Sequence, residues 1–424
     1  MASSTALTEV IFTTESTGQL WNVGVWDASN GTNLAAYKGS TTGQRSLALL
    51  GNDYILGAAS NKPLIHVWSL QKKEQHQLRI VCPGKVNALA ISPDGNYCVA
   101  AIAEKLHIWQ IKSGNLLAVL SHHYQNINCV RFTDDGSYFL SGGDDNLVLV
   151  WKLVNVLSSE EKQSLDPHHT WSSHSLPITD IYCGYGGAHA RVATSSLDQT
   201  CKLWDLSSGE LLCSFLFESC ITSVMMDPAE HHLFSGGVHG QIYQVNLYDK
   251  IDSQNSEKKE IFQGHSKQVN CLTTSFDGST LVSGSNDCTV KIWDIDSLQC
   301  VRTLKHKGSV MNVIIAPAPI GLFRPGIKPQ HTIQPFKRHL HNSEMEEQES
   351  VDICMYLQSA DVPEKNNMDV DKLCRDEWKR QESKGDLQTS EIIVENLRKE
   401  VETLKDINRQ LYEYTIKELL NNKV

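Results

Sequence analysis

From residue 8 to about residue 317, apolar and polar positions alternate in short runs, and each run is closed by Gly, Asp, Asn, Ser or Pro. A period of two puts every second side chain on one face of a strand, and turn residues about every ten positions predict short antiparallel strands. Residues 86–121 show the unit: VNALAIS, the turn PDGN, YCVAAIA, LHIWQI, the turn KSGN and LLAVLS predict four successive strands.

One residue type marks the period. Trp26, Trp68, Trp109, Trp151, Trp204 and Trp293 each follow a β-branched residue or leucine, at spacings of 42, 41, 42, 53 and 89. The last interval holds two units. In FSGGVHGQIYQVNLY, Ser235, Gly236 and Gly237 align with Ser283, Gly284 and Ser285, His239 with Asp287, and Val245 with Trp293. Seven units of just over forty residues predict an all-β, seven-bladed β-propeller over 8–317. This tryptophan register resembles that of the WD-repeat family.

The resemblance implies a site for each tryptophan. In that family the indole N–H on the third strand is accepted by a Ser or Thr of the second strand. A histidine from the loop before the first strand joins the hydroxyl, and an aspartate in the turn between second and third strands orients the histidine. Here the pattern falls on His265, Ser283 or Ser285, Asp287 and Trp293. It falls again on His174, Ser195 or Ser196, Asp198 and Trp204, and on His122 or His123, Ser141, Asp145 and Trp151. The remaining units read as degenerate. His, Ser and Asp together also make a hydrolase triad, but a triad is needed once, whereas this set recurs at blade spacing beside a tryptophan. With no GxSxG elbow either, the reading is structural, with no catalytic residue and no enzyme activity.

The first unit begins at its second strand, TEVIFTTES, and an unpaired alternating segment, SVMNVIIAP, follows the seventh. Pairing of 309–317 with 8–16 would close the ring from both ends of the chain and cover two sheet edges.

Beyond it the pattern changes. Residues 318–385 are polar and then acidic, and predict a mostly disordered linker. Residues 386–420 predict a coiled-coil helix: Val394, Val401 and Asn408 occupy a positions, and Leu397, Leu404 and Leu411 occupy d positions. Val at a with Leu at d favours a parallel dimer, and Asn at a fixes register. Ile393, Ile407 and Tyr412 on the flanks equally suit an amphipathic helix docked on a partner.

Composition narrows the rest. The chain has 424 residues, 40% hydrophobic and 21% charged, which suits a large globular domain plus an appendage. The N-terminus shows neither the basic nor the apolar region of a secretory signal, and no apolar stretch is long enough for a bilayer. Twelve cysteines without a CxxC pair read as reduced, small apolar residues, with no metal or cofactor site. The net charge is −11, and residues 344–400 hold sixteen Asp and Glu against eight Lys and Arg. Lys and Arg form no dense run, so strong direct nucleic-acid binding is disfavoured.

A narrower resemblance comes from GVWDASNGTNLAAYKG, HARVATSSLDQTCKLWDLSSGELL, MDPAEHHLFSGG and LKDINRQLYEY. Together they resemble a pre-rRNA-processing branch of the WD-repeat family. That implies a non-catalytic scaffold subunit of a nuclear complex, in nucleolus and nucleoplasm with the cytoplasm as a second location, that matures the large ribosomal subunit and processes the second internal transcribed spacer. The implied partners are two helical-repeat scaffold proteins and a dynein-like remodelling ATPase, with self-pairing through the terminal helix and mainly indirect contact with the pre-ribosome. The alternative is a substrate receptor or peptide reader in ubiquitin or chromatin signalling. Against the former, WDAS, WDLS and WDID carry no arginine two residues after the WD pair.

Overall fold

A short strand with one apolar face is stable only when that face meets another sheet. The chain solves this by repetition. The structure is a computed structural model that describes residues 9–18, 21–70, 77–158, 166–248, 260–323 and 329–340. The predicted heptad residues Val394 to Leu411 and residues 341–385 of the predicted linker lie outside them.

Among the described residues, 28 strands form seven four-stranded antiparallel sheets. Blades 2 to 7 each take four consecutive strands, as in blade 3 with Val86–Ile91, Tyr97–Ile102, Lys105–Gln110 and Leu116–Leu120. The first strand of each sheet lines a central channel. The core lies between neighbouring sheets: Leu106, Ile108 and Leu120 of blade 3 pack with Val130, Phe139 and Trp151 of blade 4. Trp68, Trp109, Trp151 and Trp293 are fully buried in these layers.

Blade 1 is built from both ends of the chain. Its innermost strand, Val310–Pro317, pairs antiparallel with Glu9–Glu15, matching Val10 with Ala316, Phe12 with Ile314 and Thr14 with Asn312. Val23–Asp27 and Asn33–Tyr37 complete the sheet.

Part of the segment expected to be an unstructured linker is instead packed on the ring. Residues 329–340 form a strap across blades 2 and 3. The Asp53 carboxylate accepts the Gln330 and His331 amides at 2.7 and 3.0 Å and lies 3.0 Å from His331 Nδ1. Phe336 is buried and stacks on Trp109, with ring centres 5.1 Å apart. The Trp109 indole donates to the Lys337 carbonyl at 2.8 Å, and the Lys337 amide donates to Gly114 O at 2.7 Å. Leu340 ends the strap in a parallel bridge with Leu116.

The reason is an acceptor missing from blade 3. Trp109 faces Cys98 across the sheet, so the hydroxyl position two residues on is Ala100. A buried indole N–H without a partner costs about 1–3 kcal/mol, and the strap supplies the oxygen. Gly114 leaves it room: its φ is +69°, and a Cβ there would lie 2.3 Å from Pro335 O.

A chain ending at residue 305 lacks the closing strand and is expected to aggregate, whereas one ending at 325 keeps the ring but loses the strap. Urea melts should place the 325 form below a chain ending at 345. Phe336→Ala in the full chain should lose about 3 kcal/mol, the low end for a buried Phe, because the strap can detach without opening the ring. Equal melting of the 325 and 345 forms would overturn the structural role of the strap.

Candidate functional site

Each blade presents two faces, and what the molecule does depends on how rigidly loops are held there. In blade 7 the Asp287 carboxylate lies 2.8 Å from His265 Nδ1, and His265 Nε2 lies 2.7 Å from Ser283 Oγ. Ser283 Oγ also accepts the Trp293 indole N–H at 2.8 Å. Asp287 further accepts the Ser266 and Thr289 amides, which fixes Cys288 in the left-handed region at φ 65°. Of the two serines open in the sequence, Ser283 joins the network, while Ser285 bonds the Lys267 carbonyl. Blade 4 repeats the set with His123, Ser141, Asp145 and Trp151; the histidine is His123, and His122 packs edge-on against Trp151.

Blade 5 requires a correction. His174 bonds Asp198 at 2.9 Å, but its Nε2 and the Trp204 indole both meet Thr194 Oγ1, at 2.9 and 3.0 Å. Neither Ser195 nor Ser196 takes part: Ser195 bonds Thr179 at 2.8 Å and Ser196 the Leu176 carbonyl. Trp204 faces Val192 across the sheet, and the next side chain on that face is residue 194.

Blade 1, read as degenerate, holds part of the set, split between the two ends of the chain. His306 stands four residues before the first strand, as His123, His174 and His265 do. Its ring lies 5.2 Å from Trp21 and 5.5 Å from Trp26, and Trp26 donates to Thr13 Oγ1 at 2.9 Å. Neither ring nitrogen of His306 has a hydrogen-bond partner, and Glu15, two residues past Thr13 at the end of its strand, accepts the Lys307 amide at 3.0 Å through its buried carboxylate. The constant four-residue spacing was the signal available for His306.

The serine oxygens of blades 4 and 7 are completely buried and already accept an indole proton. That geometry orients a turn and gives a substrate no approach. Among the described residues no three His, Cys, Asp or Glu side chains gather as a metal site. Burial pushes the Cys82, Cys129 and Cys271 thiols up to about 12, so they stay protonated and unreactive.

The channel is crossed by a bridge that the sequence did not announce. Between Thr42 and Leu47 the first strand of blade 2 spends five positions against two on its neighbour, and the surplus carries Arg45, at φ 53°, inward. Arg45 Nε lies 3.0 Å from Asp180 Oδ1 in blade 5, with both side chains largely buried, and Gln44 donates to the Asn270 carbonyl in blade 7 at 3.1 Å. These groups border two cavities. One, of about 580 Å³, is lined by Lys85, Asn87, Asn126 and Gln268. The other, of about 420 Å³, is lined by Leu49, Phe132, Tyr185 and Phe276. Such openings suit protein segments or polymers better than a buried small substrate.

Comparison with known proteins agrees with this geometry. Residues 114–152, 165–205 and 256–294 match the family described as WD domain, G-beta repeat. The chain is 44% identical over 420 residues to WD repeat-containing protein 18 of Danio rerio, covering 96% of this chain and 97% of that one. The Homo sapiens protein of that name is 47% identical over 342 residues, 79% of each chain. The chain belongs to the WD repeat-containing protein 18 family. A more distant relative, 28% identical over 303 residues (68% of this chain and 57% of that one), is the pre-rRNA-processing protein pro-1 of Caenorhabditis elegans.

In this member of the WD repeat-containing protein 18 family the networks should set the acid limit of stability. Burial holds His174 and His265 below the usual histidine range despite the pull of Asp198 and Asp287. Below pH about 6.5 the unfolded chain therefore takes up protons that the folded ring refuses, and stability falls. Burial works against the charge of Asp198, but hydrogen bonds from Thr200, His174 and the Ser175 amide outweigh it and lower its carboxyl to about 2. That contribution is complete above 3.8 and is lost as pH falls toward 2. Urea midpoints should decline from pH 7 to pH 5. At pH 7, Thr194→Ala should cost about 1–3 kcal/mol, with Thr194→Ser restoring most of it. A flat pH profile, or an equal cost for Ser and Ala, would contradict the assignment.

Proposed function

We propose that the chain is a non-catalytic adaptor subunit of a nuclear complex that matures the large ribosomal subunit, acting in processing of the second internal transcribed spacer and in particle remodelling. The observation that carries the reading is the likeness to WD repeat-containing protein 18 over 96% of the chain, joined to the pre-rRNA-processing name of the more distant relative. The fold is consistent with such work: a cross-braced ring with two open cavities offers binding faces and no accessible nucleophile in its networks. Its partners in this reading are helical-repeat scaffold proteins and a dynein-like ATPase, with the pre-ribosome reached mainly through them. The heptads Val394, Leu397, Val401, Leu404, Asn408 and Leu411 make the subunit a homodimer, so that one particle meets two rings.

Two measurements test this. Light scattering should give the full chain twice its 47.3 kDa mass and a chain lacking residues 386–424 the mass of a monomer; a monomer in both cases removes the dimer. Depleting the protein from cells should raise precursors that span the second internal transcribed spacer relative to mature large-subunit rRNA. An unchanged ratio would remove the processing role.

A further inference from the structure

In sequence the basic residues are dispersed, and the net charge argues against a nucleic-acid surface. The ring redistributes them. In every blade the first strand starts, and the second ends, on the same face of the disc. The loops between blades and the turns between second and third strands therefore gather there, around the cavity of about 580 Å³.

On that face Lys62, Lys85, Lys105, Lys267, Lys305 and Lys307 are all exposed. Lys267 precedes blade 7, Lys305 and Lys307 stand where blade 7 joins blade 1, Lys62 lies in blade 2, Lys85 between blades 2 and 3, and Lys105 in blade 3. The six form one arc over four successive blades. The exposed carboxylate in the described loops of that arc is Glu104, because Glu15 is buried and spends its charge on the Lys307 and Gly308 amides, and Asp287 is largely buried against His265. The corresponding loops of blades 4, 5 and 6, residues 121–126, 144–147, 172–177, 197–199, 217–220 and 238–241, hold no Lys or Arg and carry Asp144, Asp145, Asp198 and Glu218, so the basic character is confined to the arc. Much of the negative charge sits on the other face, with Asp94, Asp134, Asp135 and Asp277 exposed in its turns.

Where the arc ends, between blades 3 and 4, stands Tyr124. It is 85% exposed, and its backbone is held by a 3.1 Å hydrogen bond from its amide to Asp145. A fixed backbone with a free aromatic ring is a stacking platform for a base. Beside it, Asn126 on the cavity rim can read base edges or 2′-hydroxyls.

We propose that this arc binds single-stranded RNA, with the lysines on phosphates and Tyr124 under a base. The choice of RNA rests on the ribosome-maturation reading above. An acidic protein segment would use the lysines but gives Tyr124 no purpose. With the overall charge negative, the contact is weak, in the micromolar range of non-specific binding. It orients a particle already held by other subunits.

The test is fluorescence anisotropy of labelled oligo(U) with the full chain, at several salt concentrations. Binding should weaken with salt along a slope of about −0.7 per phosphate contact. Lys62→Glu, Lys85→Glu and Lys305→Glu together should lower affinity at least about tenfold and flatten the slope by about 2, with the melting temperature unchanged. Tyr124→Ala should weaken binding about tenfold and leave the slope alone. A second triple change, at Lys267, Lys305 and Lys307, guards against a folding defect in the first.

Affinity that is absent, insensitive to salt or unchanged in both triple variants overturns the proposal. So does tighter binding of poly-glutamate than of oligo(U) at matched charge, which would assign the arc to an acidic protein segment. Because no pre-ribosome enters the assay, failure here leaves the adaptor reading standing, and that reading falls only on the precursor ratio.

Discussion

Everything in this molecule depends on the pairing of Glu9–Glu15 with Val310–Pro317. In blades 2 to 7 the chain itself links consecutive strands, but in blade 1 the two ends meet through hydrogen bonds alone. The joint is reinforced by side chains. Asn312 donates to Thr14 Oγ1 at 2.9 Å and to the Gly43 carbonyl at 2.7 Å, tying blade 1 to blade 2. Glu15 caps the Lys307 amide at one end of its strand, and Glu9 accepts the Phe276 amide at the other, reaching blade 7. A ring held this way has a single seam closed without a chain connection, and the Arg45–Asp180 bridge braces blades 2 and 5 across the channel.

How much of this was legible in the sequence follows from which features have a period. The tryptophan register is periodic, because each third strand must bury the same side chain, and it located six blades directly and blade 6 through Val245, which faces Leu233 as Trp293 faces Leu281. The hydroxyl was harder. Thr194, Ser195 and Ser196 are three hydroxyls in a row, and only hairpin register decides which shares a face with Trp204. A slip of one residue in that register reverses the face. His306 was missed because the rings it packs against, Trp21 and Trp26, lie almost three hundred positions away, at the opposite end of the chain.

Two further features leave no periodic trace. The strap has the composition of a linker, with Pro, Gln, His and Lys around one phenylalanine, and its order comes from what it meets. Asp53 offers a carboxylate to backbone amides, and Trp109 needs an acceptor that Ala100 cannot provide. The clue lay in blade 3, in a tryptophan without its hydroxyl. Arg45 is similar: one arginine in a strand that otherwise alternates gives no sign that the surplus residues around it turn into the channel.

Charge is the extreme case of this limit, since net charge is a sum and a binding face is a distribution. A propeller sorts its loops onto two faces by strand direction, so residues twenty to forty positions apart become neighbours. Lys62, Lys85 and Lys105 look like isolated surface residues along the chain, yet successive blades carry all three to one face. The same sorting sends the Asp-Gly turns, with Asp94, Asp135 and Asp277, to the opposite face. A chain with an acidic balance can therefore present a basic arc without any basic run, and the period of the fold, rather than the composition, decides what each face can hold. For an adaptor this separation has a physical use. A basic arc on one face and acidic turns on the other favour partners of different charge, so whatever docks on each is oriented relative to the other by the ring itself.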